Sequence, residues 1–249
     1  MALLAILAHG ETATNGNRKK AVAAALGWIR ALQDDSGHIH LPYPATEALD
    51  HALATMTLSE AIGMGEEDPS GSAQRAVGDL LKNPERWVSD PETAAWTLMA
   101  LKSAKCAELQ VPDEPFHVIL ASLEARDRHE PRTAQVNAMN SMSRFLCGKT
   151  SSSFDLPLLL ASLQEPRGPD LQAVYFSTLA CFHTGGEDWK TWSVTLGKTL
   201  RARQAPDGSM SPMGDLPVLY GGKAYSTALA ALNLEVLYRY KKGMGIQDP

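Results

Sequence analysis

Residues 223–240 read KAYSTALAALNLEVLYRY, and this stretch decides the fold. Ala224, Ala228 and Ala231 share one side of a helix, while Leu229, Leu232, Val236 and Tyr240 lie a quarter-turn or more away. A helix apolar on two faces must be surrounded by other helices, and small residues let those neighbours approach closely. Four further segments repeat the pattern: 46–62, 91–107, 133–146 and 171–182.

The segments between them are amphipathic: 18–33, 72–82, 116–126, 154–163 and 188–204. In the first, Ala21, Val22, Ala25, Leu26, Trp28, Ile29 and Leu32 recur at helical spacing, opposite Arg18, Lys19, Lys20 and Arg30. Inner and outer helices therefore alternate, with a repeat of about 40–50 residues. Residues 1–8, MALLAILA, read as the remnant of a sixth inner helix. Asp90-Pro91-Glu92 and Gly168-Pro169-Asp170 carry helix-start signals. The expected fold class is all-α, in the form of an (α/α)6 toroid of alternating outer and inner helices lacking its first outer helix. An open solenoid of helical pairs is the alternative. The expected organisation is one domain over residues 1–249, belonging to a longer protein.

Composition narrows the function classes. The chain has 249 residues, a formal net charge of −5 and 20% charged residues, with no basic stripe of the kind that binds nucleic acid. Three cysteines, none in a CxxC pair, exclude a disulfide scaffold. No 18-residue apolar run is present to span a membrane. Few cysteines fit a reducing cytoplasm; an exported bacterial domain whose leader has been removed is the other compartment considered.

Two outer segments end alike. Trp28-Ile29-x-x-x-Gln33-x-x-x-Gly37-x-Ile39 is matched by Thr199-Leu200-x-x-x-Gln204-x-x-x-Gly208-x-Met210. This pattern resembles, in degenerate form, the QW-type repeat of the squalene–hopene cyclase and protein prenyltransferase superfamily. In that repeat the Gln caps the helix and ties neighbouring repeats together; Ile39 and Met210 stand where it has an aromatic. The inner segments beginning at Asp50-His51, Thr97 and Tyr220-Gly221-Gly222 resemble those of bacterial, planctomycete-like "prenyltransferase and squalene oxidase repeat" proteins. The resemblance spans nearly the whole chain and implies the toroid; for activity it is weak, because one fold hosts many functions.

The chemistries that the resemblance implies can each be tested by motif. Terpenoid cyclases protonate an alkene from Asp-x-Asp-Asp, and that run does not occur in the chain. Asp34-Asp35 reads as a solvated turn. Prenyltransferases bind zinc through Asp, Cys and His, but Ser226 stands where the His would be, and Asp170-Leu171-Gln172 supplies no Cys. No thioester-type Gly-Cys-Gly-Glu-Gln run is found. Cys106 and Cys147 read as packing residues, and Cys181 near His183 as a core cysteine beside a helix-end histidine. Catalytic residues, metal ligands and cofactors are accordingly assigned to none.

Topology still places a candidate ligand site. In a toroid the inner helices run parallel, so their N-termini gather at one mouth. The residues assigned there are Asp50, His51, Thr93, Gln135, Asp170, Gln172, Tyr175, Tyr220, Tyr225 and Ser226. Asp50-His51 stands out because both lie a turn inside a helix, where a buried polar group needs a partner. The expected function is a non-catalytic binding or scaffolding domain recognising a protein or peptide partner. The alternative is an isoprenoid- or lipid-binding domain, or a cyclase- or prenyltransferase-like enzyme, using the central cavity. A saccharide-processing barrel with Asp50 and Asp170 opposed across a groove is a third reading.

Overall fold

The computed structural model describes residues 1–40, 46–82, 87–88, 90–129, 133–149, 154–166, 168–212 and 221–239. The described residues form eleven helices and no strand: α1 Ala2–Ala8, α2 Lys19–Ala31, α3 Glu47–Gly63, α4 Ser72–Lys82, α5 Pro91–Cys106, α6 Glu114–His129, α7 Ala134–Leu146, α8 Leu156–Ser162, α9 Leu171–Thr184, α10 Gly186–Arg203 and α11 Gly222–Arg239. The chain is all-α. Each inner segment becomes one of α3, α5, α7, α9 and α11; each outer segment becomes one of α2, α4, α6, α8 and α10. Among the described residues, no helix is long and apolar enough to cross a membrane.

Helix starts follow local chemistry. Asp90 accepts the Thr93 N–H at 2.8 Å and is followed by Pro91 at the first helical position. Asp155 accepts from Leu158 N–H at 3.0 Å, and Asp170 from Gln172 N–H at 2.9 Å. Each such cap stabilises by about 1 kcal/mol. Inner helices also tolerate buried hydroxyls, because these bond back one turn. Thr55 Oγ1 donates to the His51 carbonyl at 2.8 Å, Ser59 Oγ to Thr55 at 2.8 Å and Ser177 Oγ to Ala173 at 2.7 Å.

The outer helix α2 buries a narrower face than its sequence suggests. Val22, Leu26 and Ile29 form the i, i+4, i+7 line and are buried, whereas Trp28 is 54% exposed. One residue before Ile29, Trp28 lies about 100° around the helix and leaves the packed stripe.

The chain divides into two compact units. One comprises Gly10–Glu130 with Leu146–Lys149. There α3 lies along α5, α4 covers both, and α6 covers α5. Trp96, Leu58, Leu98 and Leu120 fill its interior, and Ser103 Oγ donates to Glu60 Oε1 at 2.7 Å between α5 and α3. The other comprises Met1–His9, Pro131–Phe145 and Thr150–Pro249. There α1 and α9 pack on α11, α10 lies on α9 and α11, and α8 lies on α9 and α10. A polar pin joins three of these helices. Trp192 Nε1 donates to Thr178 Oγ1 at 3.1 Å, Thr178 to Asn233 Oδ1 at 2.8 Å, and Asn233 Nδ2 to the Leu229 carbonyl at 2.9 Å.

The two sequence-matched turns fold alike. Gln33 pairs with Ile39, and Gln204 with Met210, as isolated antiparallel bridges. The Gln33 amide donates to the Gly37 carbonyl at 3.0 Å, and the Gln204 amide to that of Gly208 at 2.9 Å. Gln33 also donates to the Ser72 carbonyl at 2.8 Å and accepts from Arg75 at 2.6 Å. The end of α2 is thus tied to α4.

Candidate functional site

The first of these turns delivers two histidines to one place. His38 and His40 flank Ile39, whose side chain is fully buried. On extended backbone, residues two apart share a face, so the two imidazoles point the same way, with ring centroids 4.6 Å apart. His38 is buried, with Nδ1 2.7 Å from Asp79 Oδ2 on α4 and Nε2 3.0 Å from Glu47 Oε1 on α3. His40 is exposed; its Nε2 lies 2.8 Å from Asp34 Oδ2 and its Nδ1 3.9 Å from Glu47 Oε1. Hydrogen bonds from Ser36 and then His40 hold the Asp34 carboxyl far below its ordinary range.

His51 backs this cluster from α3. It stacks on His38 at 4.5 Å and lies 5.5 Å from the Trp87 ring. The Ile39 N–H donates to His51 Nδ1 at 3.1 Å, and His51 Nε2 is 3.4 Å from Asp79 Oδ2. A nitrogen that accepts a hydrogen bond carries no proton, so neutral His51 is protonated at Nε2, facing Asp79. Two three-residue sets each bring one ligand-type atom per residue within 4.8 Å of one another: His38, His40 and Glu47, and His38, His51 and Asp79.

On the same unit an apolar groove of about 220 Å³ opens between α4, α5 and α6. Leu80, Trp87, Leu101, Ile119 and Val118 line it, with Glu114 as the charged lining residue. Val118 is 44% exposed there. A wider basin of about 410 Å³ is lined by Lys102, Lys105, Asp113, Phe116, His117 and Cys147, among others. Burial raises the Cys147 thiol, so it is a poor nucleophile.

The ten residues assigned to a barrel mouth fall in both units. In the first, Asp50 accepts from Thr46 Oγ1 at 2.5 Å, and burial raises its carboxyl. Its chain neighbour His51 turns to Asp79 instead, and Thr93 is buried with its N–H on Asp90. In the second, Gln172 Nε2 donates to the Tyr225 hydroxyl, which brings α9 and α11 together. Asp170 caps α9, and burial raises its carboxyl. Tyr175 and Ser226 are buried, and Gln135 is half-buried. Tyr220 lies outside the described residues. The remaining sequence readings divide: Cys181 is buried, His183 is exposed at the end of α9 and stacks on Phe145, and Cys106 is exposed.

Sequence reasoning missed His38, His40, Glu47 and Asp79. The available signal was His-x-His within a turn that closes on its own Gln. No family model, curated protein or solved structure matches the chain.

Proposed function

We propose that the chain is an α/α-repeat binding domain that recognises a partner protein through a short peptide segment. Its frame is the alternating (α/α)6 arrangement expected from the sequence. Packing of α1 on α11, with His9 Nδ1 and Glu235 Oε1 3.0 Å apart, supports that frame. First and last inner helices meet when a ring closes.

The groove between α4, α5 and α6 carries the functional reading. At about 220 Å³ it is smaller than the ~300–1,000 Å³ of ordinary small-molecule sites. It suits one or two large apolar side chains of a peptide, seated on Trp87, Leu101 and Ile119. Glu114 at its edge, in a chain of net charge −5, favours a Lys or Arg flanking the anchor. The test is selection of a random peptide library on the immobilised chain. The expected result is a set of peptides sharing one or two large apolar residues beside a basic one. Failure to enrich any such set would remove the reading.

A further inference from the structure

We infer that His38, His40 and Glu47 form the protein ligand set of a zinc-class divalent cation, with Asp79 and Asp34 orienting the two imidazoles. The argument begins with proton positions. Asp79 Oδ2 is 2.7 Å from His38 Nδ1 and receives its N–H, while His51 Nε2 lies farther off at 3.4 Å. His38 in its neutral form then carries its proton on Nδ1 and turns the Nε2 lone pair toward Glu47 Oε1, only 3.0 Å away. His40 repeats the arrangement with its nitrogens exchanged. Its Nε2–H meets Asp34 Oδ2 at 2.8 Å, leaving the Nδ1 lone pair 3.9 Å from the same Glu47 oxygen. Two lone pairs aimed at one carboxylate oxygen repel unless positive charge lies between them.

The separations fit a metal in that place. Ligand atoms about 2.0–2.1 Å from zinc in tetrahedral geometry lie roughly 3.3 Å apart, and the observed 3.0 and 3.9 Å bracket that value. Each histidine has a carboxylate on the nitrogen facing away from the metal, the outer-shell pattern that fixes tautomer and ring orientation in metal sites. His40 and Glu47 are partly exposed, so a fourth position opens to solvent. The deeper set of His38, His51 and Asp79 is excluded. His51 Nδ1 already accepts the Ile39 N–H at 3.1 Å, and coordination through Nε2 would require an imidazolate.

The second copy of the turn serves as an internal control. With Gln33 matched to Gln204, Gly37 to Gly208 and Ile39 to Met210, Ser209 and Ser211 stand where the first copy has His38 and His40. That copy closes through the same Gln-to-Gly bond. The turn therefore does not need the histidines for its own conformation.

The test is zinc titration of the intact, metal-stripped chain in competition with a chromophoric chelator. One Zn²⁺ per chain is expected. His40→Ala and Glu47→Gln, both at partly exposed positions, should each weaken binding at least tenfold while circular dichroism stays that of the parent. Asp34→Asn keeps all three ligands but loses one orienting carboxylate, and should weaken binding by about tenfold. His117→Ala, at an exposed histidine outside the set, should bind as the parent does. No saturable one-to-one binding would overturn the proposal, as would unaltered binding by the His40 and Glu47 variants. So would ¹⁵N spectra showing both His38 ring nitrogens protonated at saturating zinc, since a proton would then occupy the metal's place.

Discussion

Gly37 sits at φ +98°, where a Cβ would lie 2.2 Å from the Arg75 carbonyl oxygen. Gly208, its counterpart, sits at φ +84° with nothing closer than 3.9 Å. Gly37→Ala carries both left-handed strain and a backbone collision, so it should destabilise by about 2 kcal/mol or more in urea unfolding. Gly208→Ala carries strain alone and should cost about 1 kcal/mol. Asp68 supplies a pH-dependent case. Burial raises its carboxyl, but bonds from the Ala73 N–H and the Ser72 and Ser70 hydroxyls outweigh this, and its pKa is lowered from 3.8. A folded-state pKa below the unfolded value means stability is present above pH 3.8 and lost as pH falls through the folded value. Asp68→Asn should therefore cost about 1 kcal/mol at neutral pH and flatten the acid limb of the stability profile. The matched Gln and Gly positions were legible in sequence because their spacing repeats. Asp79 was not, because a lone carboxylate on an amphipathic helix reads as solvated until His38, 41 residues earlier, is found bonded to it.

At the scale of elements, the inner helices were legible from their own composition. A stretch such as 171–182, apolar around its whole circumference and preceded by Gly-Pro-Asp, has one stable environment and one clear start. The structure places α9 at Leu171–Thr184. Outer helices were legible in extent and less so in orientation: the spacing places Trp28 on the packed face, yet it lies in solvent, because apolar character alone does not fix the angle around a helix. The His-x-His segment is hard to recognise in the sequence for a related reason. It follows α2 directly and has the two-residue period of extended backbone, which a search for helical spacing skips. Cross-helix polar contacts are beyond such a search altogether. Asn233 shows what they contribute, since its amide bonds Thr178 and the Leu171 and Leu229 carbonyls inside the unit. Asn233→Ala should destabilise by about 3 kcal/mol in urea unfolding, from unsatisfied buried partners plus a small cavity.

At the scale of the whole molecule, two devices with different chemistry share the Gly10–Glu130 unit. The histidine–carboxylate centre joins the α2–α3 turn to α3 and α4, and Trp87 connects it to the groove: the ring lies 5.5 Å from His51 and also lines the groove floor. The binding function proposed for the groove does not require the metal, and each can fail alone. Val118→Asp tests the groove with little cost to the fold, because Val118 is among the exposed residues and such surface changes ordinarily stay within about 0.5 kcal/mol. The decisive measurement is fluorescence anisotropy of a library-selected, labelled peptide titrated with the parent chain and with the Val118→Asp variant. A charge placed at the apolar mouth should raise Kd at least tenfold while leaving the unfolding midpoint unchanged. Equal affinities for the two chains would contradict the account.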